Sequence, residues 1–221
     1  GIRHYYASRG LGDVYKRQLS LSAIGVTSIP ISFFITTITG FTLGLSVLIA
    51  KNFGAKKQDS IPPVLAVFAV ILGGIFLLAA AVGSALSYPF MELLHTPADT
   101  IDLASGYIRI IFWGLPFLAV YNVYTATLRG LGDSRIPFLS ILVSSLINVL
   151  LDILFVAELR WGVLGAAAAT VLSQAIMTVF IVLYGTWKYP WLKSNCRKES
   201  FCGAVAVSYT HLRAHETRSN L

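Results

Sequence analysis

The chain has 221 residues, of which 56% are hydrophobic and only 12% are charged. A soluble domain is about 25% charged, so this composition argues against an ordinary soluble protein and favours membrane insertion. The net charge is +7, and more than half of it lies in residues 1–18 and 207–221. The rest contains no basic stripe interleaved with aromatic residues, which argues against nucleic acid as a partner.

The two ends of the chain differ from the rest. The segments Gly10–Gln18 and Val207–Leu221 resemble translated sequencing-adapter read-through, and such scars are set aside before fold reasoning. We therefore expect residues 1–18 and 207–221 to be non-native. Residues 19–190 then hold the membrane part, and residues 191–206 form a basic segment. The cysteines of that segment lack metal-ligand spacing, and no metal site is predicted.

Five stretches are long and apolar enough to be membrane helices, which need about 20 mostly apolar residues. The third stretch contains Pro116, which removes a backbone donor and can bend a helix. In the first, Gly40 and Gly44 are spaced for close helix packing. The sequence therefore predicts an all-α integral membrane fold. The helices are predicted at about 24–48, 62–87, 106–128, 136–157 and 162–186.

The loops between these helices alternate in charge. One set is basic, and the other holds most of the acids. Cytoplasmic loops are enriched in Lys and Arg, so we expect the first helix to run inward and residues after 187 to be cytoplasmic. Five helices entering from outside also suggest that a preceding helix is missing. The basic set contains Lys51, Lys56, Lys57, Arg129, Arg135, Lys188, Lys193, Arg197 and Lys198, and the other contains Glu92, Asp99, Asp102, Glu158 and Arg160.

Asp152 is the acid that interrupts the fourth predicted helix. Asn148 lies one turn earlier on the same face. Thr170, on the fifth helix, falls at a similar depth in the outer half of the membrane. An intramembrane carboxylate usually faces a cavity or pathway, and these three groups offer hard oxygen ligands to a small cation or a proton. The alternative is that Asp152 caps a helix end or pairs with Arg160.

Other polar groups carry weaker hypotheses. Tyr121 and Asn122, midway along the third helix, are candidates for lining a cavity. Gln174 is a further cavity candidate, although interhelical hydrogen bonding is the favoured interpretation. The turn Leu128–Pro137 is glycine-rich and suits a tight reversal, but it lacks a phosphate-binding signature. With no nucleophile elbow and no His/Glu metal motif, the sequence predicts no enzyme activity and no cofactor.

Four segments of the chain resemble the multidrug and toxic compound extrusion (MATE) family. Their order and spacing match the second to sixth helices of the family's N-terminal lobe, and the resemblance covers roughly residues 19–190. The segments are LIAKNFGAKK (Leu48–Lys57), LRGLGDSRIP (Leu128–Pro137), NVLLDILFV (Asn148–Val156) and WGVLGAAAATVLSQ (Trp161–Gln174).

This resemblance implies a multi-pass transporter of the inner (plasma) membrane with twelve helices in two six-helix lobes. Such proteins expel organic, often cationic, drugs in exchange for sodium ions or protons. The chain would be a partial N-terminal lobe that packs against a first helix and a C-terminal lobe, with the lipid bilayer and small organic substrates as partners. The resemblance places Asn148, Asp152 and Thr170 in a cation site and Tyr107 at its border.

Two alternatives stay open. The first is a flippase for lipid-linked saccharides or lipids from the wider superfamily. A flippase would be expected to have a more cationic cavity, whereas residues 110–128 and 136–157 contain no Arg or Lys. The second is a membrane scaffold or assembly subunit without transport activity, which a chain of this length permits.

Overall fold

A computed structural model describes residues 2–192, with side chains described at Tyr15 and from Gln18 onward. Over this range the chain folds into seven α-helices and no β-strand. The predicted basic segment beyond Leu192 and the predicted C-terminal tail lie outside the described residues. The helices are α1 (Ile2–Gly54), α2 (Ile61–Ala85), α3 (Ser87–Leu93), α4 (Ala98–Phe112), α5 (Leu115–Gly130), α6 (Arg135–Asp152) and α7 (Gly162–Lys188).

Short 3₁₀- or π-helical turns lie next to three of these helices, α2, α6 and α7. A 3₁₀ turn precedes α2, a π-helical turn extends α6, and another 3₁₀ turn follows α7. These turns are Gln58–Ser60, Ile153–Glu158 and Pro190–Leu192.

The prediction of about five membrane helices is confirmed. Four helical segments have the length and composition to cross a membrane, and the pair α4–α5 together forms a fifth candidate that is bent by 41°. The four are Gln18–Gly54, Gln58–Ala85, Arg135–Glu158 and Gly162–Lys188.

The prediction of one continuous helix over 106–128 is wrong. The helical structure begins at Ala98 and breaks between Phe112 and Leu115. Pro116 has no backbone N–H to donate to the Phe112 carbonyl, so the regular hydrogen-bond ladder cannot run through this point. The break therefore follows from the proline that the sequence analysis had noted only as a possible bend.

The first helix is also longer than predicted. It begins at Ile2 rather than near residue 24, and it runs through Pro30 to Gly54. The Tyr15 hydroxyl of this early part donates to the Asp99 carboxylate at 3.2 Å. The domain boundaries at residues 18 and 190 stay predictions.

The buried core lies among α1, α2, α4 and α5. It includes the fully buried Ile38, Leu45 and Ile108, and the Phe34 ring packs edge-on against Phe76 and Phe112. α6 stands apart from this core and packs mainly along α7. Only Pro137 and Ser140 of α6 are buried, so its apolar side chains are left facing outward.

The cation-rich ends of the helices lie together. At the end of α5, Gly130 is packed against Ile49 near the end of α1. In the following turn, the Asp133 carboxylate pairs with Lys188 at the end of α7. The grouping of the basic loops at one end therefore agrees with the alternation read from the sequence, while the side of the membrane that this end faces stays a prediction.

Two glycines, one at the end of α5 and one in the turn that follows, have different roles. Gly132 has a positive φ of 87° and forms the predicted reversal. Gly130 instead permits close contact, because an added Cβ would lie 2.8 Å from the Ile49 Cβ and 2.8 Å from the Ser46 carbonyl oxygen. By contrast, Gly40 and Gly44 have no neighbour within 4 Å of such a Cβ, so this pair packs no helices together within the described part of the chain.

Candidate cation or proton site

Asp152 lies at the junction of α6 and the π-helical turn Ile153–Glu158. Single π turns are rare and occur often at functional sites, because they change the direction of nearby side chains. The Oδ1 atom of Asp152 is shielded from solvent and has no hydrogen-bond partner among the described residues. The residue as a whole is half-buried, so one carboxylate oxygen is withdrawn from solvent without a partner. Because an unpaired shielded oxygen is unfavourable, this atom is suited to receive a proton or a cation.

Among the described residues, the Asp152 carboxylate neither caps a helix end nor pairs with Arg160, the two alternatives that the sequence left open. Asp152 makes no side-chain hydrogen bond to cap the π-helical turn that it precedes. Within the described part of the chain, the ion pair is Lys188–Asp133, and no pair joins Asp152 to Arg160. Arg160 is instead exposed in the turn before α7, with a positive φ of 56°.

Asn148 supplies a second polar group without a partner. Its Nδ2 atom is buried and makes no hydrogen bond to any described residue. It lies one helical turn before Asp152, on the same face of α6. Because an amide group can turn over, the same position can present either a donor or an oxygen ligand. Two neighbouring side chains of α6 therefore keep unused polar atoms.

Two further hydroxyl-bearing candidates of the predicted site lie on other helices. Tyr107 of α4 is half-buried and close enough to Asp152 for the two groups to interact electrostatically. Thr170 of α7 donates its hydroxyl proton to the Ala166 carbonyl oxygen at 2.9 Å, so its lone pairs stay available as an acceptor. The structure thus places Asn148 and Asp152 on one face of α6, with Tyr107 of α4 within electrostatic range of the carboxylate. Thr170 lies on α7, which packs along α6, and among the described residues no hydrogen bond joins it to Asp152.

The predicted cavity residues are engaged in packing contacts. The Asn122 amide donates to the Leu118 carbonyl oxygen of its own helix at 2.8 Å. The buried Tyr121 hydroxyl donates to the Pro137 carbonyl oxygen at 3.4 Å and so joins α5 to α6. The side-chain oxygen of Gln174 contacts Gly114. A role of these three residues in lining a substrate cavity stays a prediction.

Sequence reasoning missed the contact that holds the break between α4 and α5. Thr178 of α7 donates to the Phe117 carbonyl oxygen at 2.9 Å and lies 2.7 Å from the Gln174 carbonyl oxygen. At Gly114 an added Cβ would overlap Gln174 and would also lie 3.1 Å from the Ile111 carbonyl oxygen. The segment Gly114–Leu115–Pro116 was the available signal, since glycine and proline together mark helix breaks.

Several helices of membrane length, one of which contains a shielded, unpaired acid, define the class of this protein, which is a multi-pass α-helical membrane protein. The family model described as MatE matches residues 14–154. The chain belongs to this family of multidrug transporters. It is accordingly not an enzyme, as the sequence analysis predicted.

Known relatives support the same assignment. The chain is 33% identical over 178 residues to the "Probable multidrug resistance protein YoeA" of Bacillus subtilis (strain 168), an alignment that covers 76% of this chain and 38% of that protein. It is 26% identical over 188 residues to the "Multidrug export protein MepA" of Staphylococcus saprophyticus, covering 83% of this chain and 40% of that protein. The chain therefore spans about two fifths of the length of these relatives.

Solved structures share the fold. One is an inward-facing multidrug resistance MATE family transporter of the MOP superfamily, at 28% identity and a TM-score of 0.70, and the match covers 75% of this chain and 38% of that one. Another is a MOP superfamily transporter from Pyrococcus furiosus, at 25% identity and a TM-score of 0.70, with 80% and 38% covered. The reversed polarity of that protein's binding pocket is described as suggesting a different function.

Proposed function

We propose that this segment is part of the N-terminal lobe of a secondary transporter that expels organic, often cationic, compounds in exchange for sodium ions or protons. The observation that carries the proposal is the buried, unpaired Oδ1 atom of Asp152 beside the unpaired amide of Asn148. The multidrug resistance and export functions named for the relatives support it. The complete transporter would add the helices that this chain does not contain.

The chemistry follows from the side chains around Asp152. A carboxylate, an amide oxygen and hydroxyl oxygens are hard ligands that suit a small cation. A proton on the carboxylate removes the charge that attracts that cation, so cation and proton compete for the same group. Occupancy by either neutralises a charge at membrane depth. It therefore biases the lobe between two arrangements, as alternating access requires.

The surroundings of the lobe belong to the same proposal. The protein would lie in the inner (plasma) membrane, with residues after 187 in the cytoplasm. The exposed apolar side chains of α6, such as Phe138 and Leu146, would contact lipid, the missing first helix or the second lobe. Small organic substrates would bind between the lobes, and no cofactor is required beyond the coupling ion.

A lipid or lipid-linked saccharide flippase is the second candidate function. The reversed polarity of the binding pocket in the Pyrococcus furiosus structure is described as suggesting a different function, so this fold is compatible with more than one kind of transporter. An anionic lipid phosphate would be expected to need cations in the cavity, and the membrane parts of α5 and α6 offer none before Arg129 and after Arg135. Transport assays with a panel of cationic drugs and anionic lipids would separate the two functions.

The proposal is tested by substitution in the complete transporter, obtained by recovering the reading frame that flanks this segment. Asp152→Asn should abolish ion-coupled efflux while expression is unchanged, because an amide can neither carry the negative charge nor exchange a proton. Asp102→Asn, an identical change at an exposed acid of α4, is the matched control and should retain efflux. Undiminished efflux in Asp152→Asn would refute the assignment.

A further inference from the structure

An ion pair between a buried aspartate and an exposed lysine lies at the cation-rich end of the bundle, away from the candidate site. The Nζ atom of Lys188 is 2.6 Å from Oδ2 of Asp133, and the Asp133 side chain is only 8% exposed. Within the described part of the chain this is the only ion pair. The pair connects the turn between α5 and α6 to the end of α7.

Two aromatic rings complete the environment of the lysine. The Lys188 Nζ atom lies 5.6 Å from the ring centre of Tyr184 and 5.5 Å from that of Tyr189. Both distances are within the range of cation–π attraction. The Lys188 ammonium group therefore interacts with the carboxylate of Asp133, in the turn after α5, and with two tyrosine rings at the end of α7 and just after it.

The backbone of the turn fixes the carboxylate in place. Gly132 takes a left-handed conformation, and the N–H of Asp133 donates to the Leu128 carbonyl oxygen at 2.9 Å. Arg129 and Arg135, which flank the turn, are both exposed, and neither forms an ion pair with Asp133. Because removal of one partner leaves a buried charge uncompensated, Asp133 depends on Lys188.

α6 has few other attachments to the rest of the bundle. Only Pro137 and Ser140 of this helix are buried, and its direct hydrogen bond from α5 is the long contact of Tyr121 with the Pro137 carbonyl. Farther along, Ser144 donates to the Ser173 carbonyl oxygen of α7 at 3.5 Å. The position of α6 is thus set mainly through α7.

We propose that Asp133, Lys188, Tyr184 and Tyr189 form a clamp that positions the α6–α7 hairpin against α5. Through α6 the clamp also holds Asn148 and Asp152 in place relative to Tyr107 on α4. This second part rests on the function proposed above for those residues. The four clamp residues lie outside the candidate site of Asn148 and Asp152, so the role proposed for them is one of positioning.

Hydrogen–deuterium exchange on the purified 221-residue chain tests the clamp. Asp133→Asn should raise exchange severalfold in peptides covering residues 128–140 and 184–192 and leave α2 unchanged. Lys188→Arg should keep most of the protection. Arg135→Gln, which removes an exposed charge from the same turn, is the control and should change neither peptide. An unchanged 184–192 peptide in Asp133→Asn, or a uniform rise that includes α2, would overturn the proposal.

A second pair of variants covers the case in which Asp133→Asn does not fold. Lys188→Met leaves Asp133 buried and unpaired, whereas the double variant with Asp133→Asn removes both charges. The clamp predicts less exchange at residues 128–140 in the double variant than in Lys188→Met alone. Equal exchange in the two variants would contradict a direct Asp133–Lys188 coupling.

The positioning role has its own readout. In Asp133→Asn, the sodium concentration that half-protects residues 146–154 from exchange should rise about tenfold. If this sodium concentration is unchanged while exchange at residues 128–140 and 184–192 is altered, the clamp stabilises the hairpin but does not position the ion site, and that part of the proposal fails. Asp152→Asn should lose the sodium response and keep normal exchange at 128–140 and 184–192, so failure of the ion site and failure of the clamp are distinguishable.

Discussion

At the residue scale, the informative feature is a pair of polar atoms without partners. Buried polar atoms in proteins are nearly always hydrogen-bonded, so each exception needs an explanation. Asp152 Oδ1 and Asn148 Nδ2 are two such exceptions on adjacent turns of one helix. Thr125 Oγ1 is a third such atom, one helical turn before Arg129 on α5 and outside the candidate site.

Thr170 provides a test at this scale. Thr170→Val removes the hydroxyl oxygen that we expect to assist the ion, while Thr170→Ser keeps it. The valine variant should need about tenfold more sodium for half of the ion-dependent thermal shift, since a hydrogen bond to a charged group contributes about 1.5–3 kcal/mol. Thermal unfolding of the purified chain at graded sodium concentrations measures this. Equal responses of the serine and valine variants would remove Thr170 from the site.

The sequence was sufficient to single out these side chains but not their surroundings. An acid in an apolar stretch, with an amide four residues earlier, is visible without a structure. The π-helical turn after Asp152 was not predictable, because no residue type specifies the insertion of an extra residue into a helical turn. The clamp was missed as well, since Asp133 and Lys188 are far apart in sequence and each looks like an ordinary loop charge.

At the scale of the elements, the broken helix α4–α5 and the close contacts of single glycines shape the bundle. Pro116 made a bend foreseeable, whereas its attachment to α7 through Gln174 and Thr178 depends on contacts between distant segments. Likewise, the glycine-rich turn after α5 was predictable as a reversal. The tight approach of Gly130 to α1 was not, because it depends on which helix lies beside it.

Gly130 and Gly40 form a matched pair of tests. Gly130→Ala should destabilise the chain by about 1–3 kcal/mol, because the methyl group would overlap Ile49 and the Ser46 carbonyl. Gly40→Ala, in open space on the same bundle, should be neutral or stabilising by roughly 0.5–1 kcal/mol, since alanine favours a helix over glycine. Thermal or denaturant unfolding in detergent measures both. A Gly130→Ala chain as stable as Gly40→Ala would contradict the packing of α1 on α5.

At the scale of the whole molecule, the sequence predicted the number of membrane helices and the grouping of the charged loops. Hydrophobic stretches of sufficient length are a strong signal, because the backbone must satisfy its hydrogen bonds within each helix inside lipid. The lateral arrangement was not predictable in the same way. The length and apolar composition of a stretch indicate that it crosses the membrane but not which helices lie beside it, so the sequence does not show that α6 stands outside the core or that α4 and α5 lie at its centre.

The direction of insertion is tested by thiol labelling. In a chain with Cys196→Ser and Cys202→Ser, a cysteine at the exposed Leu94 should react with a membrane-impermeant reagent added to intact cells. A cysteine at the exposed Lys57 should react only after the membrane is opened, because basic loops stay in the cytoplasm. The reverse pattern would show that the segment is inserted in the opposite direction.

The most direct test of the central claim is ion-dependent thermal stability of the purified chain, with Asp152→Asn as the comparison. Sodium should raise the unfolding temperature of the unsubstituted chain relative to a large organic cation at equal ionic strength, since a ligand that binds the folded state stabilises it. Lower pH should weaken this shift as protons compete for the carboxylate, and Asp152→Asn should lack it. No response to sodium or pH in the unsubstituted chain, or an equal response in both chains, would contradict the assignment of Asp152 as the ion-coupling acid.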